Sequence, residues 1–279
     1  MEITAQMVSQ LREQTGAGMM ECKKALVESG GDIERARDIL RAKGQAGVEK
    51  RSGRAAADGV VAAVTSPTAA SLIELNSETD FVARNEDFKA LAHQIATVAA
   101  GHPHNDVEGI LSLTIDGKTV KEKLDDALAK MRENLVLRRT VRYEAGSDSV
   151  LATYIHTVTN KIGVLVELKG DPGNDSHKEL ARGLAMHIAA SKPQYVRREE
   201  VPTDVVEREK AVLAEKTRNE GKPEAAIPKI VEGRVGKFFE QICLVDQPYV
   251  RDPSKKVGDL LAQTGMEARR FTLYQVGQE

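Results

Sequence analysis

The chain of 279 residues has no tryptophan, two cysteines, and only five Phe and five Tyr. So few aromatics make no platform on which unpaired bases could stack. An excess of positive charge is also missing. Forty Lys and Arg against 42 Asp and Glu give a formal charge of -2, which excludes the strongly basic profile of a nucleic-acid-binding chain. No run of about 18 apolar residues occurs, so no membrane span is expected. The opening Met1-Glu2-Ile3-Thr4-Ala5-Gln6 lacks the basic start and apolar stretch of a secretion signal. Cys22 and Cys243 cannot build a disulfide framework, and two reduced thiols in a cytoplasmic protein are the expectation. What is present is 41% hydrophobic residues, enough for real cores, and the length allows one large or two to four small domains.

Apolar spacing divides the chain. Residues 1–44 read as three short helices. Ile3, Met7, Val8 and Leu11 mark the first; Met19, Cys22, Leu26 and Val27 the second; Ile33, Ala36, Ile39 and Leu40 the third, with Asp32 as N-cap and Gly44 as the stop. Residues 45–58 read as a linker. From Gly59 the pattern turns to strands. Val60–Val64 and Ser71–Leu75 flank a Ser66-Pro67 turn, a helix runs from about Asn85 to Ala100, and a helical stretch with Leu124, Leu128 and Met131 leads into a strand over Leu135–Tyr143. The strand–strand–helix block then repeats. Val150–Ile155 and Gly163–Leu168 form a second hairpin, and Leu72-Ile73-Glu74-Leu75 aligns with Leu165-Val166-Glu167-Leu168. The helices align at Lys89 and Lys178. The expected fold is therefore α+β: a three-helix module (1–44), a core subdomain over 59–142, and a second over 143–193 and 243–279, completed by a strand over Phe271–Val276. Between the two parts of the second subdomain, residues 194–242 read as an antiparallel helical hairpin.

Catalytic and cofactor motifs do not stand out. Asp116-Gly117-Lys118-Thr119 lacks the upstream glycine of a phosphate-cradling loop, with Ser112 in that place, and reads better as a helix-start turn. Gly16-Ala17-Gly18 precedes a helix but follows no strand, so it fails the dinucleotide fingerprint. His102-Pro103-His104 has no Cys or carboxylate at metal spacing and reads as a solvated loop. No nucleophile elbow or isolated carboxylate pair appears. The expectation is a protein that is not an enzyme and carries no cofactor or metal of its own.

Two segments point elsewhere. In Leu11–Leu26, Met19 and Met20 follow a glycine turn. Met20 cannot share a narrow core stripe with both Met19 and Lys23, so the pair is either a slightly broad core or a soft surface for a partner. In Glu74–Asn85, the sequence Thr79-Asp80-Phe81-Val82 places an aromatic in a polar loop. Such a ring usually staples the following helix. However, the distance from Glu74 to Lys89 is 15 positions, and from Glu167 to Lys178 it is 11. The second copy builds its helix without the four extra residues, so the ring of Phe81 is expected to aim outward.

Together these segments resemble the elongation factor Ts family of guanine-nucleotide exchange factors, and the resemblance spans the chain. It implies a ubiquitin-associated-like N-terminal module, two related core subdomains, and a hairpin through which a second copy of the chain can pair over 194–242. It also implies a partner, elongation factor Tu, which itself holds GDP or GTP and Mg²⁺. By the resemblance, Thr79, Asp80, Phe81 and Val82 dislodge that Mg²⁺, Arg12, Met19 and Met20 contact the partner's nucleotide-binding domain, and His156 approaches another partner domain. Direct nucleic-acid binding is not expected. This chain departs from the family where Thr157-Val158-Thr159-Asn160-Lys161 replaces a glycine-rich turn after His156, and where Ser77 replaces a frequent cysteine. The chain ends at Glu279, so the contact of an extra C-terminal helix that some members carry is not expected. Two rival classes are a small-molecule enzyme and an RNA- or ribosome-associated protein using Lys50, Arg51 and Arg54.

Overall fold

Apolar residues at helical spacing build three helices in the computed structural model, which describes residues 3–15, 17–51 (the backbone alone for 44–51) and 53–278. These are α1 (Ala5–Thr15), α2 (Met19–Glu28) and α3 (Ile33–Arg51). Val8, Leu11, Cys22, Ala25, Leu26 and Ala36 close a small core between them. α2 stops where Gly30 and Gly31 turn left-handed, at φ 69° and 91°, a conformation free of strain without a Cβ. Two expectations are corrected here. Met19 and Val27 are not core residues, for both are exposed, and the buried stripe of α2 is Cys22, Ala25 and Leu26. The third helix does not stop at Gly44. An interior glycine costs only about 1 kcal/mol, and α3 runs through both Gly44 and Gly47 to Arg51, with α7 (Val120–Met131) against it.

The chain divides into two compact units, Met1–Ala62 with Ile73–Thr140 and Val276–Glu279, and Ala63–Leu72 with Val141–Gln275. After the three helices come β1 (Asp58–Thr65), β2 (Ala69–Ser77), α4 (Asp80–Ala83), α5 (Glu86–Gly101), α6 (Val107–Ser112), β3 (Thr114–Ile115), β4 (Lys118–Thr119), α7 and β5 (Val136–Glu144). One sheet has the order β1-β2-β5, and β2, its middle strand, is buried at every position. α5 buries Phe88, Leu91, Ala92, Ile95, Ala96, Ala99 and Ala100, so its apolar face centres on alanines rather than on Val98, which is half-buried.

The remaining elements are β6 (Ser149–Ile155), β7 (Ile162–Lys169), α8 (Asp175–Ser191), α9 (Thr203–Asn219), α10 (Ile227–Ile242), β8 (Pro248–Tyr249), β9 (Asp252–Lys256), α11 (Val257–Thr264) and β10 (Glu267–Gln275). The final strand completes an antiparallel sheet, β10-β7-β6. α8 lies against β6 and β7, burying Leu184 and Ile188 with Val164, Val166 and Leu168. In the α9–α10 hairpin, Ile227, Val231 and Val235 pack on Val206, Leu213, Ala214 and Phe239.

The duplication extends to charges. Glu74, fully buried on β2, meets Arg139 of β5 at 2.7 Å and Arg138 at 3.7 Å. Glu167, buried on β7, meets Arg270 of β10 at 2.7 Å and Arg269 at 3.3 Å. In each copy a middle-strand glutamate is thus neutralised by two consecutive arginines of the neighbouring strand, as a buried charge must be.

Both cysteines are free and buried; burial, helped by Asp246, pushes the Cys243 thiol up to about 11, so it is unreactive as a nucleophile. His187 is also fully buried. The amide of Val250 donates to its Nδ1 at 3.2 Å, which leaves Nε2–H to donate to Gln247 Oε1 at 2.9 Å. That network needs a neutral ring, and burial holds the pKa below its ordinary 6.5. A depressed histidine is fully stabilising above the unfolded pKa and loses that contribution as pH falls toward the folded value. Thermal unfolding followed between about pH 7.5 and 5.5 should show a falling midpoint, and a His187→Gln protein should show a flatter profile.

Candidate functional site

Ser77 ends β2 fully buried, and its hydroxyl donates to the carbonyl of Thr79 at 3.0 Å. The longer loop of this copy then coils into the single turn of α4, closed by Arg84 N to Asp80 O at 3.0 Å. Asn85 follows at once as the N-cap of α5, accepting from Asp87 N and Phe88 N. The insertion is held at both ends by hydrogen bonds. Its buried residue is Ala83, at 4% exposure. Phe88, at 0%, is the ring that anchors the following helix, and Phe81 stands 82% exposed. Phe81 is therefore no staple. Asp80 pairs with Arg84 at 2.8 Å on the surface, a contact worth little and easily exchanged. Val82 is half-buried.

A second support comes from the end of α7. Arg132 caps that helix in the left-handed region (φ 64°, ψ 23°), and the next two residues turn toward the insertion. Glu133 accepts from Thr79 twice, from N at 2.9 Å and from Oγ1 at 2.5 Å. Asn134 donates its amide to Glu78 at 2.7 Å and its side chain to the carbonyl of Arg54 at 2.6 Å. Arg132 itself reaches Glu21 at 2.6 Å. No sequence feature announced these three residues, because their contacts lie more than 50 positions away.

On α2 the methionines face out, Met19 at 54% and Met20 at 63% exposure. Val27, 62% exposed, lies seven residues beyond Met20 and so on the same helix face. The exposed side of α2 thus carries two methionines and a valine with Lys23 and Lys24 among them, and its apolar part is wider than the sequence indicated. Arg12 is exposed on α1. All of these belong to the first unit. His156, in the second unit, opens the β6–β7 turn and accepts from Asn160 N at 2.8 Å. Asn160 takes the left-handed φ of 54° that a glycine would otherwise supply, as asparagine does more readily than other side chains. The departure from a glycine-rich turn therefore still closes this hairpin, and it exposes Val158 at 86%.

The other sequence candidates have ordinary uses. Asp116 and Gly117 (φ 52° and 80°) make the two-residue turn between β3 and β4, and Thr119 caps α7 in a capping box with Glu122. Gly16 and the side chains of Lys50 and Arg51 lie outside the described residues; Arg54 is within ion-pair distance of Glu78, 3.5 Å. Among the described residues no group of three His, Cys, Asp or Glu is placed to hold a metal, and no helix is long and apolar enough to cross a membrane.

Comparison with known proteins gives a consistent result. The family described as "Elongation factor TS" matches residues 78–278. Elongation factor Ts of Alkalilimnicola ehrlichii is 45% identical over 280 residues, covering 100% of this chain and 93% of the relative. Elongation factor Ts of Idiomarina loihiensis is 44% identical over 278 residues, with 100% and 92% covered. That of Thioalkalivibrio sulfidiphilus is 44% identical over 280 residues, with 100% and 93% covered. The family match over residues 78–278 and the identities over the whole length of the chain place it in the elongation factor Ts family, with a role in translation elongation.

Proposed function

We propose that the protein is a cytoplasmic guanine-nucleotide exchange factor that binds elongation factor Tu with its GDP, dislodges the partner's Mg²⁺ and lets GDP leave in exchange for GTP. It makes and breaks no covalent bond; nucleotide and metal belong to the partner. The observation that supports this best is the 82% exposed ring of Phe81 on a turn hydrogen-bonded at both ends. A single exposed apolar residue is commonplace; an exposed ring on a pinned insertion is a tool.

In this reading Phe81 is the apolar wedge. Asp80 leaves Arg84 to hydrogen-bond partner groups, and Thr79 and Val82 set the shape of the turn. Removal of the metal's charge takes away a strong attraction for the diphosphate. A thousandfold acceleration needs about 4 kcal/mol off the barrier, and burial of one Phe contributes roughly 1.5–3 kcal/mol. The rest must come from further contacts: Met19, Met20 and Arg12 from the first unit and His156 from the second. The test is stopped-flow release of fluorescent GDP from purified elongation factor Tu. Stimulation by this protein is expected, and GDP must weaken the complex by the factor by which the complex weakens GDP. Absence of stimulation would refute the assignment.

Self-association through residues 194–242 is a separate proposal. The hairpin uses most of its apolar residues internally and leaves Val212 exposed at 54%, so the dimer is expected to be weak. Light scattering should show mass rising with concentration; a constant single-chain mass removes the proposal.

A further inference from the structure

We propose that Arg132 and Glu133 form a brace that biases the methionine-bearing side of α2 and the Phe81 turn toward one relation. Its contacts are individually weak at the surface and act together, so that a partner meets a partly preorganised two-part surface. The proposal rests on the exchange-factor reading and adds two positioning residues to it. Arg132 sits at φ 64°, a region that side chains other than glycine's rarely adopt. At a helix C-terminus glycine is the usual choice there, so an arginine implies a use for its side chain. That use is visible. The guanidinium bonds Glu21 Oε2 at 2.6 Å, and the same carboxylate oxygen accepts from Gly18 N at 3.3 Å, at the start of α2. A Cβ on Gly18 would meet Arg132 Nη2 at 2.7 Å, so the guanidinium lies directly over the residue that precedes Met19.

The adjacent residue turns the other way. Both carboxylate oxygens of Glu133 go to Thr79, one to its amide and one to its hydroxyl. These are the anchoring groups immediately before Asp80 and Phe81. Two neighbouring side chains thus tie together segments that lie 58 positions apart in sequence, Glu21 and Thr79. A surface held in its binding conformation loses less freedom on association. The brace therefore acts through other residues and need not touch the partner.

The two arms have separable consequences. Glu133→Ala frees the turn that carries the wedge and should lower the saturating rate of GDP release about ten-fold, the equivalent of 1.4 kcal/mol. Arg132→Gly removes the α2 arm while relaxing the left-handed backbone. It should raise the half-saturating concentration several-fold with little change in the saturating rate. Glu133→Gln keeps an acceptor for Thr79 and should recover part of the loss. Hydrogen–deuterium exchange of the free protein supplies a readout independent of nucleotide: the Thr79 amide should exchange faster in Glu133→Ala than in the parent. If the parent fails to stimulate release, the exchange-factor reading falls, and the amide measurement still judges the Glu133 contact. The brace is overturned if Thr79 exchange is unchanged. It is also overturned if the parent stimulates release and both variants, folded by circular dichroism, match its rate and half-saturation.

Discussion

Phe81→Ala should reduce stimulated GDP release by about 10- to 100-fold, from the roughly 1.5–3 kcal/mol that burial of one Phe contributes. The thermal midpoint should not move, because a ring 82% exposed has almost no native contacts to lose. This separation of rate from stability is the useful feature of the experiment. Phe88, seven residues on, supplies the opposite case. It is fully buried, so Phe88→Ala should cost about 3–5 kcal/mol of stability through loss of burial and the cavity left behind. Any effect of that variant on release should follow its loss of folded protein. If Phe81→Ala retained full stimulation at saturating concentration, the wedge would be wrong and the α2 face would have to carry the reaction. If Phe81→Ala lost stability as well as rate, the turn would be structural and its exposure misleading.

Residue type and spacing carried the larger features, and short-range geometry carried the rest. The duplication was legible because a buried sheet core demands the same apolar run in each copy, with one glutamate in register in both, and the ion pairs to Arg139 and Arg270 follow that register. The outward aim of Phe81 was legible through comparison of the copies, since a four-residue excess cannot be needed to build the helix. Val27 was misplaced because a helical period puts it on the border between two faces of α2, and sequence alone does not locate the neighbour that covers one of them. α11 has only eight residues and β8 only two, too short for any periodicity to register. Arg132 and Glu133 were invisible for a different reason. Their significance lies in a left-handed backbone and in partners remote in sequence, neither of which residue type encodes.

The paired charges within the duplicated sheets should prove asymmetric to mutation. In the first copy Glu74 is 0% exposed, whereas the side chains of Arg139 and Arg138 keep 24% and 35%. Removing the carboxylate leaves two cations with some access to water; removing Arg139 leaves an anion without it. Loss of one partner of a buried pair costs about 3–5 kcal/mol, while apolar replacement of both partners is often neutral or stabilising. Arg139→Met should therefore destabilise by about 3 kcal/mol, at the lower end because Arg138 stays within 3.7 Å. Glu74→Leu should cost less, and the double variant less than Arg139→Met alone. Chemical denaturation at neutral pH measures all three. A larger loss for Glu74→Leu than for Arg139→Met would show that attraction rather than desolvation governs the pair. In the second copy burial pushes the Glu167 carboxyl up, but hydrogen bonds from Ser149 and Arg270, with the charge of Arg270, outweigh it and hold the pKa below 4.5. Its contribution is complete above the unfolded pKa and is lost as pH falls toward the folded one. A neutral donor remains in either copy when one arginine is gone, Asn76 to Glu74 at 3.1 Å and Ser149 to Glu167 at 2.7 Å. Glu167, however, keeps its second arginine closer, at 3.3 Å against 3.7 Å, and is 6% rather than 0% exposed. Arg270→Met should therefore destabilise less than Arg139→Met. Its cost should shrink as the pH is lowered into the acid range, because protonation of Glu167 removes the stranded charge.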